Sequence, residues 1–556
     1  MENDNSIEKN LKEEKKEKVN QEIINLEENN NSKDEKDLFT NIPEFNFEEN
    51  KIEIPQYIID LQKNEKKFFQ KIIKKTRENK ELNINEFFKK NKHYLIMTEG
   101  GKPIYSRYGD AIDNSVFFAA LSAIITKFTF FNSTDDKKEE LNIISNSKKL
   151  IVFDKKNSLI FISISKKNEY VSLLKSQLEY LNNQLMSILT NDFYKKLKDN
   201  PSRYLSIINK NEILFENMIY YTSHSFVSLF NSFQVFKCDF REKLNKICEE
   251  NIGIARIMII MTSYEIISLS HHPDIKINAS DIILLQNLIL SNESLKTIES
   301  WVPICLPGIS EEGYLQLYCK FDDYGIGICF LTENIDSKYF MEFIEQYRKI
   351  YKILIKENLI EKIIELYPKK ILEDKNEIND DELINKLVDK IILSNNNRVN
   401  QKILRPSNDL LRRSNVSTKN SPQIRQRIMT NFSKNSIFAK NDIFDDVICG
   451  ICNNKQYSQY FLIKINQDFR NLNKIEKNLL KEYNKLYDKL YLYPYKDNFF
   501  TIEKGNIYIN AIYQNENFIL ICSFNFFLDY DDVIQKMKDI LKQIKKDENK
   551  YFILYK

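Results

Sequence analysis

Glycine and proline are scarce, 10 and 11 among 556 residues. That scarcity excludes a collagen-like repeat and a protein built mainly from loops. No run reaches the roughly 18 uninterrupted apolar residues expected of a spanning helix. The best stretch, residues 257 to 269, is cut by Thr262-Ser263-Tyr264-Glu265. The opening MENDNSIEKNLKEEKK lacks the apolar core of a signal peptide. The eight cysteines are scattered, and Cys319, Cys329 and Cys522 stand in apolar runs, as reduced core thiols do. These absences predict a cytosolic protein whose contact with membranes is peripheral. What is present is 42% hydrophobic residues, enough for real cores, with 29% charged residues and a net charge of +3 that names no partner. The length suggests about three to four domains.

Residues 1 to 50 are Glu, Lys and Asn with few aromatics, and predict a disordered charged tail. Residues 51 to 91 carry Phe68, Phe69, Ile72, Ile73, Phe87 and Phe88 at roughly helical spacing, which predicts a helical lead-in. Three segments follow, 92 to 245, 252 to 385 and 443 to 556, each with strand hairpins and helices. Strands and helices in this order predict an α/β (α+β) class, with mainly antiparallel sheets covered by helices. Between the second and third segments, residues 390 to 440 predict a basic disordered linker. From Arg398 to Lys440 it holds ten Lys or Arg against one acidic residue, Asp409.

His93 to Asp110, HYLIMTEGGKPIYSRYGD, is the most informative stretch. Tyr94 to Met97 is a short strand, Glu99-Gly100-Gly101-Lys102 is turn chemistry, and Pro103-Ile104-Tyr105 restarts the extended chain. It is no phosphate-binding P-loop, because Ile96 and Pro103 stand where Gly and Ser or Thr are needed. This hairpin resembles the start of the first longin domain in the SAND/Mon family of vacuolar fusion proteins. Other blocks agree in order. Ile151 to Phe161 resembles the family's next hairpin and Tyr170 to Thr190 its long helix. Residues 281 to 289 (DIILLQNLI), 301 to 307 (WVPICLP) and 542 to 554 (KQIKKDENKYFIL) are similar to its later motifs, the last without the family's Trp.

The resemblance implies three longin-type domains. It also implies one subunit of a heterodimeric guanine-nucleotide exchange factor for a late-endosomal Rab GTPase, peripheral to the late endosome or vacuole. The implied partners are a second longin subunit of the calcium-caffeine-zinc-sensitivity type and the GTPase itself. Lys102, Ile104, Tyr105, Arg107 and Tyr108 are the expected GTPase-facing positions. An exchange factor remodels its target's switch loops, so no cofactor, metal or covalent chemistry is expected. A longin adaptor or tether without exchange activity, or a lipid-binding effector, is the alternative.

The segment Ser115 to Ile125, SVFFAALSAII, is apolar almost all round, which calls for two burial partners. Phe117, Leu121, Ile124 and Phe128 form the row expected on the domain's own sheet. Val116, Ala119, Ala120 and Ala123 form a row of small residues that admits a close neighbour. The pattern leaves open whether residues 51 to 91 or a partner covers it; the resemblance favours the partner. The linker reads first as a solvated basic segment; after that, Arg412, Arg413, Arg425 and Arg427, with Ile424, Ile428 and Phe432 at helical spacing, suit an anionic lipid surface better than nucleic acid, which calls for aromatic platforms. Cys449-Gly450-Ile451-Cys452 has no second CxxC and no nearby His, so two buried strand thiols are expected rather than a zinc or redox site.

Overall fold

The computed structural model describes residues 54–132, 139–166, 169–197, 201–310, 313–336, 338–366, 444, 447–465, 474–492, 499–504, 508–525 and 528–555. Three antiparallel sheets of one topology organise them. The first holds β1 (Lys92–Thr98), β2 (Pro103–Ser106), β3 (Ile143–Ser145), β4 (Leu150–Lys156) and β5 (Leu159–Ser165), in the order β2-β1-β5-β4-β3. Asn157 and Ser158 both have positive φ, the two-residue hairpin turn whose twist matches the strands it joins. After a short β6 (Phe233–Gln234) come β7 (Ile257–Met261), β8 (Ile266–His271), β9 (Ser300–Ile304), β10 (Leu315–Phe321) and β11 (Gly327–Thr332), in the order β8-β7-β11-β10-β9. The third sheet repeats that order with β12 (Val447–Asn454), β13 (Gln459–Ile463), β14 (Phe499–Lys504), β15 (Tyr508–Gln514) and β16 (Phe518–Asn525). Residues 257 to 269, the stretch the sequence offers as its best spanning candidate, are thus a buried β7–β8 hairpin.

In each sheet one long helix lies between the second strand and the third: Ser115–Asn132, Ala279–Ser291 (followed by the single turn Ser294–Thr297) and Lys474–Leu492. Another follows the fifth strand: Val171–Leu197, Lys338–Lys356 and Tyr530–Lys546. Their starts follow ordinary helix chemistry. Asn278 caps Ala279–Ser291 by accepting the Ser280 N–H, and Asp531 and Asp532 open the last long helix while Lys545 and Lys546 close it.

The sheets are joined rather than strung out. Residues 233–235, expected inside the first segment, run parallel to β13 and bridge to Ile266 of β8. The Val235 N–H donates to Tyr460 O at 2.8 Å and the Phe236 N–H to Ile266 O at 3.0 Å. One short strand therefore satisfies two open sheet edges at once. Arg241, fully buried, holds the junction by donating to the carbonyls of Phe236, Ile267 and Asn549. The lead-in helix Gln56–Lys80 straps the first sheet's helices to the second. Its Lys80 pairs with Glu212, its Glu65 with Lys296 at 2.8 Å, and its Tyr57 hydroxyl donates to Ile364 O.

Candidate functional site

The β1–β2 hairpin is held tight by its own turn. Thr98 O accepts the Gly101 N–H, and Thr98 Oγ1 accepts that of Lys102. Gly101 has φ +80°, and a Cβ there would lie 2.9 Å from Ser122 Cβ. Only glycine lets the hairpin tip lie so close to the helix Ser115–Asn132. Lys102 projects into solvent at that tip.

The other residues expected to face a GTPase point inward, which corrects that expectation. Ile104 is core, and Tyr105 stacks on Phe215 with centroids 4.8 Å apart. Arg107 forms a bidentate pair with Glu216, at 2.9 and 2.5 Å, between the rings of Tyr94 and Tyr108. Burial alone would lower the Arg107 pKa, but the Glu216 carboxylate outweighs it and holds the guanidinium charged. Tyr108 is buried against His93. The physical reason is the lead-in and the helix Glu212–His224, which close over this strand. Their contacts turn the PIYSRYG string into a structural latch, and among the five only Lys102 is on the surface.

The helix Ser115–Asn132 presents the opposite picture. Phe118 and Leu121 seat it on the sheet, with Phe117 and Ile125 partly covered. The row facing the sheet is therefore shifted from the one expected, for Ile124 is 47% exposed. Phe87 and Phe88 of the lead-in meet this helix edge-on at Phe117, and Phe87 joins Phe118 and Leu121 in the core beneath it. Val116 is 81% exposed, Ala119, Ala120 and Ala123 lie on the same open side, and Phe130 and Phe131 end it at 78% and 69%. This helix is long and apolar enough to cross a membrane by composition, yet its Phe118 and Leu121 are fixed on a sheet. Between it and the hairpin lies a shallow hollow of ≈590 Å³ floored by Gly100, Gly101, Ala119, Ser122 and Ala123, with Lys127 and Phe130 at the rim. The arrangement can accept a protein surface: a small-residue floor for close approach, with an aromatic knob and a lysine at the edge.

Cys449 and Cys452 are three apart on β12 and face opposite sides of its sheet. Cys449 packs with Ile451 and Tyr460, Cys452 with Phe461 and Val533 across the sheet. They cannot share one metal or close on each other without breaking the strand. Burial pushes the Cys449 thiol up to about 11. His272 sits in an exposed turn beside Asp274, at 3.1 Å. Among the described residues no three His, Cys, Asp or Glu side chains gather as a metal site. Arg412, Arg413, Arg425 and Arg427 lie outside the described residues.

Comparison with known proteins places this geometry. Residues 92–218 match the model of the first longin domain of FUZ, MON1 and HPS1, and residues 257–349 match that of the second. The chain is 29% identical to a vacuolar fusion protein MON1 homolog of Oryza sativa subsp. japonica over 279 residues, 49% of this chain and 47% of that one. It is 25% identical to the Arabidopsis thaliana homolog over 279 residues, 49% and 44% of the two chains. It is 21% identical to MON1 homolog A of Gallus gallus over 271 residues, 48% of each. The chain spans about half the length of the curated relatives it matches.

Proposed function

We infer that this chain, which belongs to the SAND/Mon (MON1) family of longin-domain proteins, acts in vacuolar fusion and vesicle traffic as one subunit of a guanine-nucleotide exchange factor for a late-endosomal Rab GTPase. The observation that carries the reading is the uncovered apolar side of Ser115–Asn132 beside the hairpin hollow. Val116, Ala119, Ala120 and Ala123 would take the helix of a second longin subunit, of the calcium-caffeine-zinc-sensitivity type. Lys102 and the rim residues Lys127 and Phe130 would face the GTPase. Exchange of this kind needs no acid, base or metal from the chain. The complex stabilises the nucleotide-free GTPase, so the loaded one releases GDP faster. In this reading the complex works on an anionic membrane surface to which it is recruited peripherally.

The test is GDP release from a late-endosomal-class Rab loaded with fluorescent GDP, followed with this chain, with its longin partner, and with both. Acceleration only with both supports the reading. A stable complex of the two chains that leaves the release rate unchanged would instead make the protein a longin adaptor.

A further inference from the structure

We propose that the solvent side of the lead-in helix Gln56–Lys80 is a docking surface for an anionic lipid bilayer. The inference rests on the reading above of a peripheral membrane protein, and it places the contact on a rigid helix rather than on the basic linker. Lys63, Lys67 and Lys71 follow one another at four-residue steps, and Lys74 and Arg77 continue the same side; all five are exposed. Along the helix they span about 21 Å at a rise of 1.5 Å per residue. Lys74 pairs with the exposed Glu78 on this side, and Lys66 at its edge pairs with Glu293. Past the helix end the exposed Lys210 and Arg77 border a hollow of ≈350 Å³ of mixed charge, lined also by Glu81 and by the Lys80–Glu212 pair, so the basic row ends there.

The opposite side of the helix is anchored. Ile58, Leu61, Ile72 and Thr76 are buried beneath it, and Glu65 is held by Lys296, Ser263 and Tyr264. The charges are therefore carried on a fixed rod, and little side-chain or backbone order has to be created on docking. The basic side carries no exposed aromatic or aliphatic group, so it offers neither stacking platforms for nucleic acid nor a pocket for an apolar anchor residue. A row of cations on a straight helix matches a flat, fluid array of negative headgroups, which needs only charge.

The full chain is mixed with phosphatidylcholine vesicles with and without phosphatidylserine, and sedimented. Binding should require phosphatidylserine and fall with added salt. The variant Lys63→Glu, Lys67→Glu, Lys71→Glu should partition at least about tenfold less, since each such charge contributes appreciably near a bilayer. Its thermal midpoint should match the parent, and GDP exchange in solution should be unchanged, which separates failure of this inference from failure of the exchange reading. A linker variant with Arg412, Arg413, Arg425 and Arg427 changed to Gln should retain most vesicle binding. In the unmodified chain, vesicles should protect Lys63, Lys67 and Lys71 from an amine-reactive label while leaving Lys349 reactive, a readout that needs no variant to fold. Equal binding by the triple variant, absent protection, or no binding to phosphatidylserine vesicles overturns the proposal. Capture by a soluble polyglutamate peptide without vesicle binding would assign the face to an acidic protein instead.

Discussion

The helices Ser115–Asn132 and Ala279–Ser291 occupy one position in one topology, yet they are buried very differently. Both link the second strand of their sheet to the third, and both are apolar almost all round. In the second domain ten residues are buried, from Ala279 to Ser291; in the first only Phe118 and Leu121 are. The difference is supplied by neighbours. Glu212–His224 and Val171–Leu197 lie over the second-domain helix and bond to it, Asn217 donating to Asn287 at 2.8 Å and Asn287 to Gln184 at 2.7 Å. Nothing of the described chain lies on the first-domain helix in the same way. An apolar face that is covered in one copy of a fold and open in the other is where the proposed partner would dock.

The strand-one to strand-two turns differ in the same sense. Glu99-Gly100-Gly101-Lys102 is open, with Glu99 paired to Lys155 at the surface. Thr262-Ser263-Tyr264-Glu265 is buried, and Tyr264 O accepts the side-chain amide of Gln286 from the covered helix. The second domain thus spends its longin surface on intramolecular contacts, and the first keeps the same surface free.

The largest effect expected on the isolated chain comes from the covered helix. Leu285 is fully buried, and Leu285→Ala should cost roughly 2–5 kcal/mol by lost burial and the cavity left behind. Chemical denaturation of the parent and variant measures it. A loss no larger than that of a surface substitution would mean that the cover over this helix is loose, and the contrast between the two helices would collapse.

A second, pH-dependent effect sharpens the contrast between the turns. Desolvation pushes the buried Glu265 carboxyl up to about 8, with the Gln234 amide and the Arg241 charge pulling it partly back. The folded chain then keeps a proton that the unfolded chain releases above its ordinary value of 4.5. This group's contribution is therefore undiminished in acid and declines as pH rises from about 4.5 to about 8, where it levels off. Glu265→Gln removes the titration, so its advantage in thermal midpoint should grow across that window. The full difference is on the order of a few kcal/mol. Parallel curves for the parent and Glu265→Gln would show that the site is wet.

Much of this was legible in the sequence. The hairpins, the helix Tyr530–Lys546 and the apolar all-round character of residues 115 to 125 follow from local periodicity and turn chemistry, which a sequence carries directly. What it could not carry is which neighbour covers a face. Ile124 and Phe118 are both large and apolar, and only the seating on the sheet decides that Phe118 is inside. Arg107 and Tyr105 read as surface chemistry beside a glycine turn, until Glu216 and Phe215 arrive from more than a hundred residues away. Phe233 and Gln234 gave no strand signal, being two residues long and stabilised by two edges they did not themselves encode.

The smallest effect on the isolated chain belongs to the open helix, and it separates partner contact from internal packing. Ala123 lies on the exposed side and lines the hollow. In Ala123→Glu the new carboxylate stands one turn before Lys127, an i, i+4 pairing worth a few tenths of a kcal/mol in favour of the helix. The folded chain should therefore keep its stability within about 0.5 kcal/mol. Against a partner helix the same carboxylate would lose its water, and a solvated rim lysine one turn away would offset only a small part of that cost, which is several kcal/mol. Co-purification with the second longin subunit should then fail, and acceleration of GDP release should fail with it, while the circular dichroism melt stays put. A variant that unfolds on its own would show that Ala123 is packed inside the chain. A variant that still pairs and still accelerates release would move the partner off this helix altogether, and the exposed Phe130 and Phe131 at its far end would be the next place to substitute.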